Sequence, residues 1–516
     1  MASKGLDSGA LGMFWTAIGL MFIALVIDTE AVGWLVAPFV LGLLIMAMTK
    51  VPLRASLLTL MFCVLTLDNP AEGFASGRWE SPLHEIGGLL MNHINTRTGV
   101  KPLFMSGLDI LLVSLLVIAN ARERSGAMID RVGRVPTPRP LVKLVFVSFA
   151  GTIFTFLSGV LRGGDTGIML WQMDRVLYLP LVFWLFHIGL RGPADHLAIG
   201  KVLIAAATIR ALTATYVIHT VYEPPDDNGI VARLAYATTH NDSMLFAMAF
   251  VVCLALAFTR AGKKYMRLVY VVLPILILGM ISNHRRLVWV HVALVVAALY
   301  AVTPSNAVRR KVQRIALMLS PVALVYCLAG WNSGSSLFRP VQTLRSVVDS
   351  KSDNSTLWRD IENFDLISTI KLNPIFGVGY GNPYLEIVPL PAVDYPLEKY
   401  LPHNSILGLL SSAGYVGFAA MTMLWAVGAF FAMRAYYGAK NAIDRTAAIV
   451  SFGSVLVYLI QCWGDLGLGA PNGVWMIAPG LAVAGKLAAA TGEWSDKKSN
   501  AAAGVAAERS AANGVR

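Results

Sequence analysis

Apolar residues run along most of this chain in long, nearly uncharged stretches, separated by shorter segments that hold most of the charge. Fourteen such stretches stand out, at about 11–27, 32–48, 52–67, 104–119, 141–161, 176–190, 197–221, 243–258, 268–281, 287–302, 315–330, 405–433, 446–463 and 470–489. A helix of about 20 apolar residues crosses the hydrocarbon of a bilayer, and most of these stretches approach that length. The third and ninth have the shortest apolar cores and could be re-entrant.

The chain has 516 residues, 56% apolar and 14% charged, with a mean hydropathy of +0.62. An average soluble domain is about 45–50% apolar and about 25% charged, so no water-soluble core could hold this surface. The expected fold is an all-α polytopic membrane protein with about 12–14 transmembrane helices. If the helices alternate, the connecting segments that include both termini hold 27 basic and 8 acidic residues, and the other set 14 basic and 21 acidic. Basic residues favour the cytoplasmic side, so both termini are expected there. The net charge of +12 therefore bears on orientation. No basic run is interleaved with aromatics on a polar face, and no nucleic-acid partner is expected. Cys63, Cys253, Cys327 and Cys462 lie far apart inside apolar runs and read as buried thiols.

The expected divisions are a transmembrane bundle over 1–330, a long external loop over 331–402, further transmembrane helices over 403–490 and a disordered tail over 491–516. The first apolar run lacks a small-residue cleavage site and is expected to stay as an anchor.

Loop 331–402 carries six basic and eight acidic residues and is longer than connections usually are. Within it Trp358, Ile361, Phe364, Ile367 and Ile370 recur at helical spacing, while Arg359, Glu362 and Asp365 take another side. Capped by Ser355 and ended by Asn373-Pro374, this predicts an amphipathic helix on the outer membrane surface. Gly377-Val378-Gly379-Tyr380-Gly381 follows no strand and opens no helix, so a dinucleotide loop fails on context; a turn allowing close backbone approach fits it.

Three segments carry candidate chemistry. In Pro402-His403-Asn404-Ser405, Asn404 or Ser405 can cap the next span, leaving His403 beside a positive helix end that opposes imidazolium formation. A neutral His403 could act as a base, or be structural. In Asn283-His284-Arg285-Arg286, two arginines sit in an outward turn on the acidic side. An Arg near hydrocarbon needs an anionic partner, which Asp242, Asp465, lipid phosphate or a bound diphosphate would supply; guanidinium offers phosphate a planar fork. Thr239-His240-Asn241-Asp242 also precedes a span, so His240 is placed either to cap or to help hold the same anion. Arg162 and Arg175, around Gly163-Gly164-Asp165, could add to that electropositive pocket or pair locally.

Taken together, these pieces resemble the O-antigen ligase and polymerase family of bacterial envelope glycan enzymes. The shared features are many spans, an Arg-bearing outward turn, a long external loop with Arg and then P-x-x-G-x-G-x-G, and His-Asn opening the next span. The matching residues are Arg285 or Arg286, Arg359, Pro374 with Gly377, Gly379 and Gly381, and His403 with Asn404, within about 281–418. The resemblance implies a bacterial inner (cytoplasmic) membrane protein with a periplasmic active site and no metal or cofactor. Its implied activity is inverting transfer of a glycan from an undecaprenyl diphosphate donor to an acceptor hydroxyl, on lipid A core for a ligase and on another repeat unit for a polymerase. His403 would be the base, and Arg285, Arg286 and Arg359 would engage the diphosphate. His240, Asn404, Gly377, Gly379, Gly381, Arg162 and Arg175 would contact substrate, with membrane lipid as a further partner. Two departures are His284-Arg285-Arg286 where the family usually has Ser-Arg, and fourteen spans where about twelve are usual.

Two other classes remain open from the residues. A polyprenyl-monophosphate glycosyltransferase would use a carboxylate near Asp28-Thr29-Glu30, and a transporter would use mid-span charge such as Asp109 and Arg210.

Overall fold

The computed structural model describes residues 8–27, 30–67, 84–95, 104–125, 134–221, 237–305, 307–335, 338, 341–342, 345, 354–390 and 399–495. Its helices are α1 (Ser8–Ile27), α2 (Glu30–Lys50), α3 (Leu53–Thr66), α4 (His84–Met91), α5 (Gly107–Ser125), α6 (Arg139–Leu161), α7 (Thr166–Gly189) and α8 (His196–Thr220). They continue as α9 (His240–Phe258), α10 (Lys263–Ser282), α11 (Arg286–Val302), α12 (Ala307–Gly330), α13 (Asn354–Leu372), α14 (Ser405–Gly438), α15 (Ala442–Gly464) and α16 (Pro471–Ala490). Among the described residues there is no strand, only an isolated bridge between His93 and Ser106. Nine of the described helices are long and apolar enough to cross a membrane. Each of the fourteen apolar stretches falls on one helix. The third is the 14-residue α3, whereas the ninth is a continuous 20-residue helix, α10, and not a turn back.

Contacts between helix ends sort the connections into two groups. At one end Arg122 donates to the carbonyls of Met48, Thr49 and Val51, and Arg54 pairs with Asp195. There too His196 faces Asp444, Thr259 bonds Thr446, and Lys486 donates to the Val135 carbonyl. At the other end Arg162 meets Asn373, Thr238 meets Asn283, and His240 faces Asp465. The first group belongs to the segments rich in Lys and Arg.

The charges placed inside spans are both satisfied locally. Asp109 lies in the first turn of α5, where its carboxylate accepts from the Ser106 N–H and hydroxyl while the Ser106 hydroxyl accepts from Asp109 N–H. This reciprocal cap satisfies helix-end donors. Arg210 forms a two-pronged pair with Asp242, at 3.0 and 2.6 Å, and both are almost wholly buried. Removing one partner of such a pair costs about 3–5 kcal/mol.

The core is centred on α16, with Trp475, Ile477 and Leu481 inaccessible and α7, α14 and α15 packed around it. Close helix approach depends on small residues: a Cβ at Gly151 would lie 2.8 Å from the Ala420 methyl. Outward faces are as apolar as the core, with Phe146, Leu157, Val271 and Leu317 exposed, which water would penalise and hydrocarbon accepts.

α14 is broken at Gly414, whose φ of 60° and ψ of −176° are not helical. Backbone groups freed inside a membrane bundle need new partners. The glycine-rich segment supplies them: Val378 and Gly379 N–H donate to the Ser411 and Ser412 carbonyls, and Tyr415 and Val416 N–H donate to the Pro374 and Ile375 carbonyls.

Candidate functional site

α11 and α14 each pack along α15, and the space they enclose is a cavity of about 820 Å³. Its floor and walls are apolar, including Leu294, Phe418, Trp425, Phe452 and Leu456. Its polar lining, formed by Arg286, Thr356, Arg359, Asp360, Glu362, Asn363, His403 and Asn404, gathers where α13 meets the starts of α11 and α14. From Phe452 to Gly464 the α15 wall runs about 18 Å at 1.5 Å per residue, joining one charged end to a deep hydrophobic groove.

His403 is set by two neighbours. Asn404 caps α14, its side-chain oxygen accepting from Leu407 N–H at 3.1 Å, and Asn404 also donates to Asn363 on α13 at 3.0 Å. Glu362, only 3% exposed, grips the same turn: one carboxylate oxygen accepts from His403 N–H at 3.0 Å, and the other lies 3.3 Å from the ring Nδ1. The hydrogen bond to Glu362 raises the His403 imidazole above its ordinary value, against burial and Arg359, which lower it. The expected lowering of His403 by the helix end is thus corrected: its carboxylate neighbour raises it instead. A helix end acts as about half a charge, and a full carboxylate in contact outweighs it. With Nδ1 turned to Glu362, Nε2 is the ring nitrogen available for proton transfer.

The two candidate arginines of the turn separate. His284, at a φ of 56°, reverses the chain, and the side chain of fully buried Asn283 accepts from Thr238 and donates to Ser243. Arg286 faces the cavity. Arg285 does not line it; its guanidinium donates to His240 Nε2 at 2.9 Å, and His240 Nδ1 lies 3.0 Å from the Asp465 carboxylate. Burial acts to raise Asp465, but His240, the Leu466 N–H and Arg359 together hold it at about 2. His240, expected at the substrate, instead links Arg285 to Asp465 outside the cavity lining. Asp242, the other partner considered for the turn, is taken by Arg210.

Arg359 and Asn404 line the cavity as expected of substrate contacts, whereas other expected contacts do not. Gly377, Gly379 and Gly381, all at positive φ, spend their N–H groups on the Asn373 carbonyl, the Ser412 carbonyl and the Gln172 side chain. A Cβ on Gly379 would come within 2.4 Å of the Gly159 nitrogen. These glycines wedge the loop between α6, α7 and the break in α14, and close approach accounts for them. Arg162 donates to Asn373; Arg175 stacks 4.2 Å over Trp171 and donates to the Gly469 carbonyl. Neither reaches the cavity.

Glu362 and Asp465 were missed from the sequence as site residues. For Glu362 the signal was present, since the polar stripe of α13 was legible, but that stripe is turned to the protein: Glu362 and Asp365 are buried, while Leu357, Phe364 and Ile367 are exposed. Asp28 and Thr29 lie outside the described residues. Among the described residues, His93, Asp109 and Asp174 bring metal-ligand atoms within 4.8 Å of one another, but none of them lines the cavity and Asp109 is engaged as a helix cap. Compared with protein-family models and with curated proteins, the chain matches none.

Proposed function

We propose that this protein is a membrane glycosyltransferase that moves a glycan from a polyprenyl diphosphate carrier to an acceptor hydroxyl on the periplasmic face, in the manner of the O-antigen ligases and polymerases it resembles. The observation that carries the reading is the meeting of Arg286, Arg359 and the His403–Glu362 pair at the charged end of a cavity whose remainder is an apolar groove. A polyprenyl diphosphate has the same division between a dianionic head and a hydrocarbon tail.

In this mechanism Arg286 and Arg359 bind the diphosphate oxygens and stabilise the charge that grows as the bond from the anomeric carbon to phosphate breaks. His403 Nε2 removes the proton of the acceptor hydroxyl as its oxygen bonds to that carbon from the opposite face, so the centre inverts. The imidazolium formed is stabilised by Glu362, which also fixes the tautomer by accepting a hydrogen bond from Nδ1–H. Polyprenyl diphosphate is released with the new glycosidic bond formed. The excess of Lys and Arg in the opposite set of connecting segments supports an extracytoplasmic position for this end, and the resemblance supports a bacterial inner membrane.

The transport reading loses its motivation, because Arg210 and Asp242 neutralise each other and Asp109 caps α5. The test is reconstitution of the purified chain in liposomes with polyprenyl-diphosphate-linked glycan and an acceptor. Transfer with release of polyprenyl diphosphate is expected. Transfer from a monophosphate donor alone, or solute uptake without transfer, would overturn the reading. Deletion in the native bacterium separates the two family activities: single repeats left on lipid A core point to a polymerase, and full-length chains left on carrier to a ligase.

A further inference from the structure

The face that α13 turns to the cavity holds more than Arg359. Thr356, Arg359, Asp360 and Asn363 all line it, and their spacing of i, i+3, i+4 and i+7 makes one continuous stripe. The stripe is polar at every position, whereas the cavity walls on α11, α14 and α15 are mostly apolar. Asp360 is exposed, and among the described residues its carboxylate has no hydrogen-bond or ion-pair partner. The Asn363 end is anchored, because Asn404 donates to its side-chain oxygen. Thr356 lies seven residues back, about 10 Å along the axis.

Resting on the proposed reading, we infer that this stripe is the recognition site for the donor's sugar, specifically the first ring attached to the diphosphate. Three arguments assign it. The ring is covalently joined to the phosphate that Arg359 binds; Thr356 and Asn363 lie three and four residues from Arg359 on its helix face, about 5–6 Å away, and Asp360, four residues from Thr356 and three from Asn363, lines the same cavity. Their groups, a hydroxyl, a carboxylate and an amide, supply the mixture of donors and acceptors that adjacent sugar hydroxyls need. The other parts of the donor do not suit them: the Asp360 carboxylate repels a diphosphate, and a polar stripe has no use for a polyprenyl chain. Arg286 and Arg359 therefore read the leaving group while Asp360, with Thr356 and Asn363, reads the sugar. A protein with this division discriminates among carriers by the ring they bear.

The test measures binding to the full chain in nanodiscs of two probes, bare polyprenyl diphosphate and polyprenyl diphosphate bearing one hexose or N-acetylhexosamine. Wild type is expected to bind the sugar-bearing lipid more tightly. Asp360→Ala should weaken binding of the sugar-bearing lipid about tenfold, the effect of one lost charge-assisted hydrogen bond, and leave bare carrier unchanged or tighter. Asp360→Asn, which keeps hydrogen-bonding atoms, should recover part of the loss. Equal weakening of both lipids, or no weakening of either, would overturn the sugar site while leaving the glycosyltransferase reading in place. Failure of wild type to bind either lipid would instead remove the reading on which this inference rests.

Discussion

His240 and His403 begin from nearly the same local sequence. Each precedes an asparagine at the start of a helix, at the same end of the bundle, yet they come to different surroundings. Across from His240 stand Arg285 and Asp465, one at each ring nitrogen, so its imidazole is a link in a chain of charges. Across from His403 stands Glu362 on Nδ1 alone, and the side chain is 53% exposed in the lining of the cavity. The helix start supplies the same field to both. What divides a structural imidazole from one able to move a proton is the partner brought by a distant helix, α11 and α15 in one case and α13 in the other.

The widest gap between the two should appear on truncation. His403→Ala is expected to lower glycan transfer about 10²–10⁴-fold, the range for loss of a general base, with the melting temperature and carrier binding retained; radiolabelled transfer by purified protein measures it. His240→Ala is expected to fall far short of that. Comparable losses from the two, at comparable stability, would erase the distinction. Next in size is the arginine pair. Arg286→Lys should cut transfer about 10–100-fold because an ammonium does not reproduce the fork that guanidinium offers phosphate, whereas Arg285→Lys should cost less, its partner being His240. A reversed order would place Arg285 on the diphosphate.

The helices were legible because a membrane span is written in length and hydropathy, which need no knowledge of partners, and even α10, with its short apolar core, folds as a full helix. The break at Gly414 was not legible, since the helical pattern continues through it and the groups that replace its hydrogen bonds lie at Pro374, Ile375, Val378 and Gly379. The P-x-x-G-x-G-x-G segment was visible as a motif, but its partner was not, and its glycines serve backbone packing at α14. For α13 the amphipathic pattern was correct and the environment of its polar side was not: Glu362 and Asp365 face protein, where Asp365 accepts from the Ile387 and Val388 N–H groups. The pattern put Glu362 on a polar helix face and offered Asp465 to the arginine turn, but it did not supply their histidine partners, His403 and His240, which only the packed helices bring to them.

A smaller effect, but one diagnostic of the His403 environment, is expected from Glu362→Gln. His403 acts as base only when unprotonated, and Glu362 raises its pKa, so activity falls as pH drops through that raised value. Removing the carboxylate lowers the pKa, and the acid limb of the rate profile should move to lower pH. The maximal rate should fall about tenfold, since the imidazolium formed in transfer loses its counter-charge. An acid limb that stays in place would assign it to another group and separate Glu362 from the chemistry.

The smallest effect on activity belongs to His240, and there the informative quantity is coupling. His240→Ala leaves the Asp465 carboxylate, 6% exposed, without its imidazole neighbour, a loss of about 1–3 kcal/mol in stability, while transfer should fall only a few-fold because no cavity-lining group is removed. If His240 acts through Arg285, the double variant His240→Ala/Arg285→Ala should be less damaging than the two single losses added together, with an interaction energy of about 0.5–3 kcal/mol for residues in direct contact. Thermal unfolding and transfer rates on the four proteins of that cycle measure it. Strict additivity would mean that the hydrogen bond between them carries no function, and His240 would return to the role of a ligand for substrate in its own right.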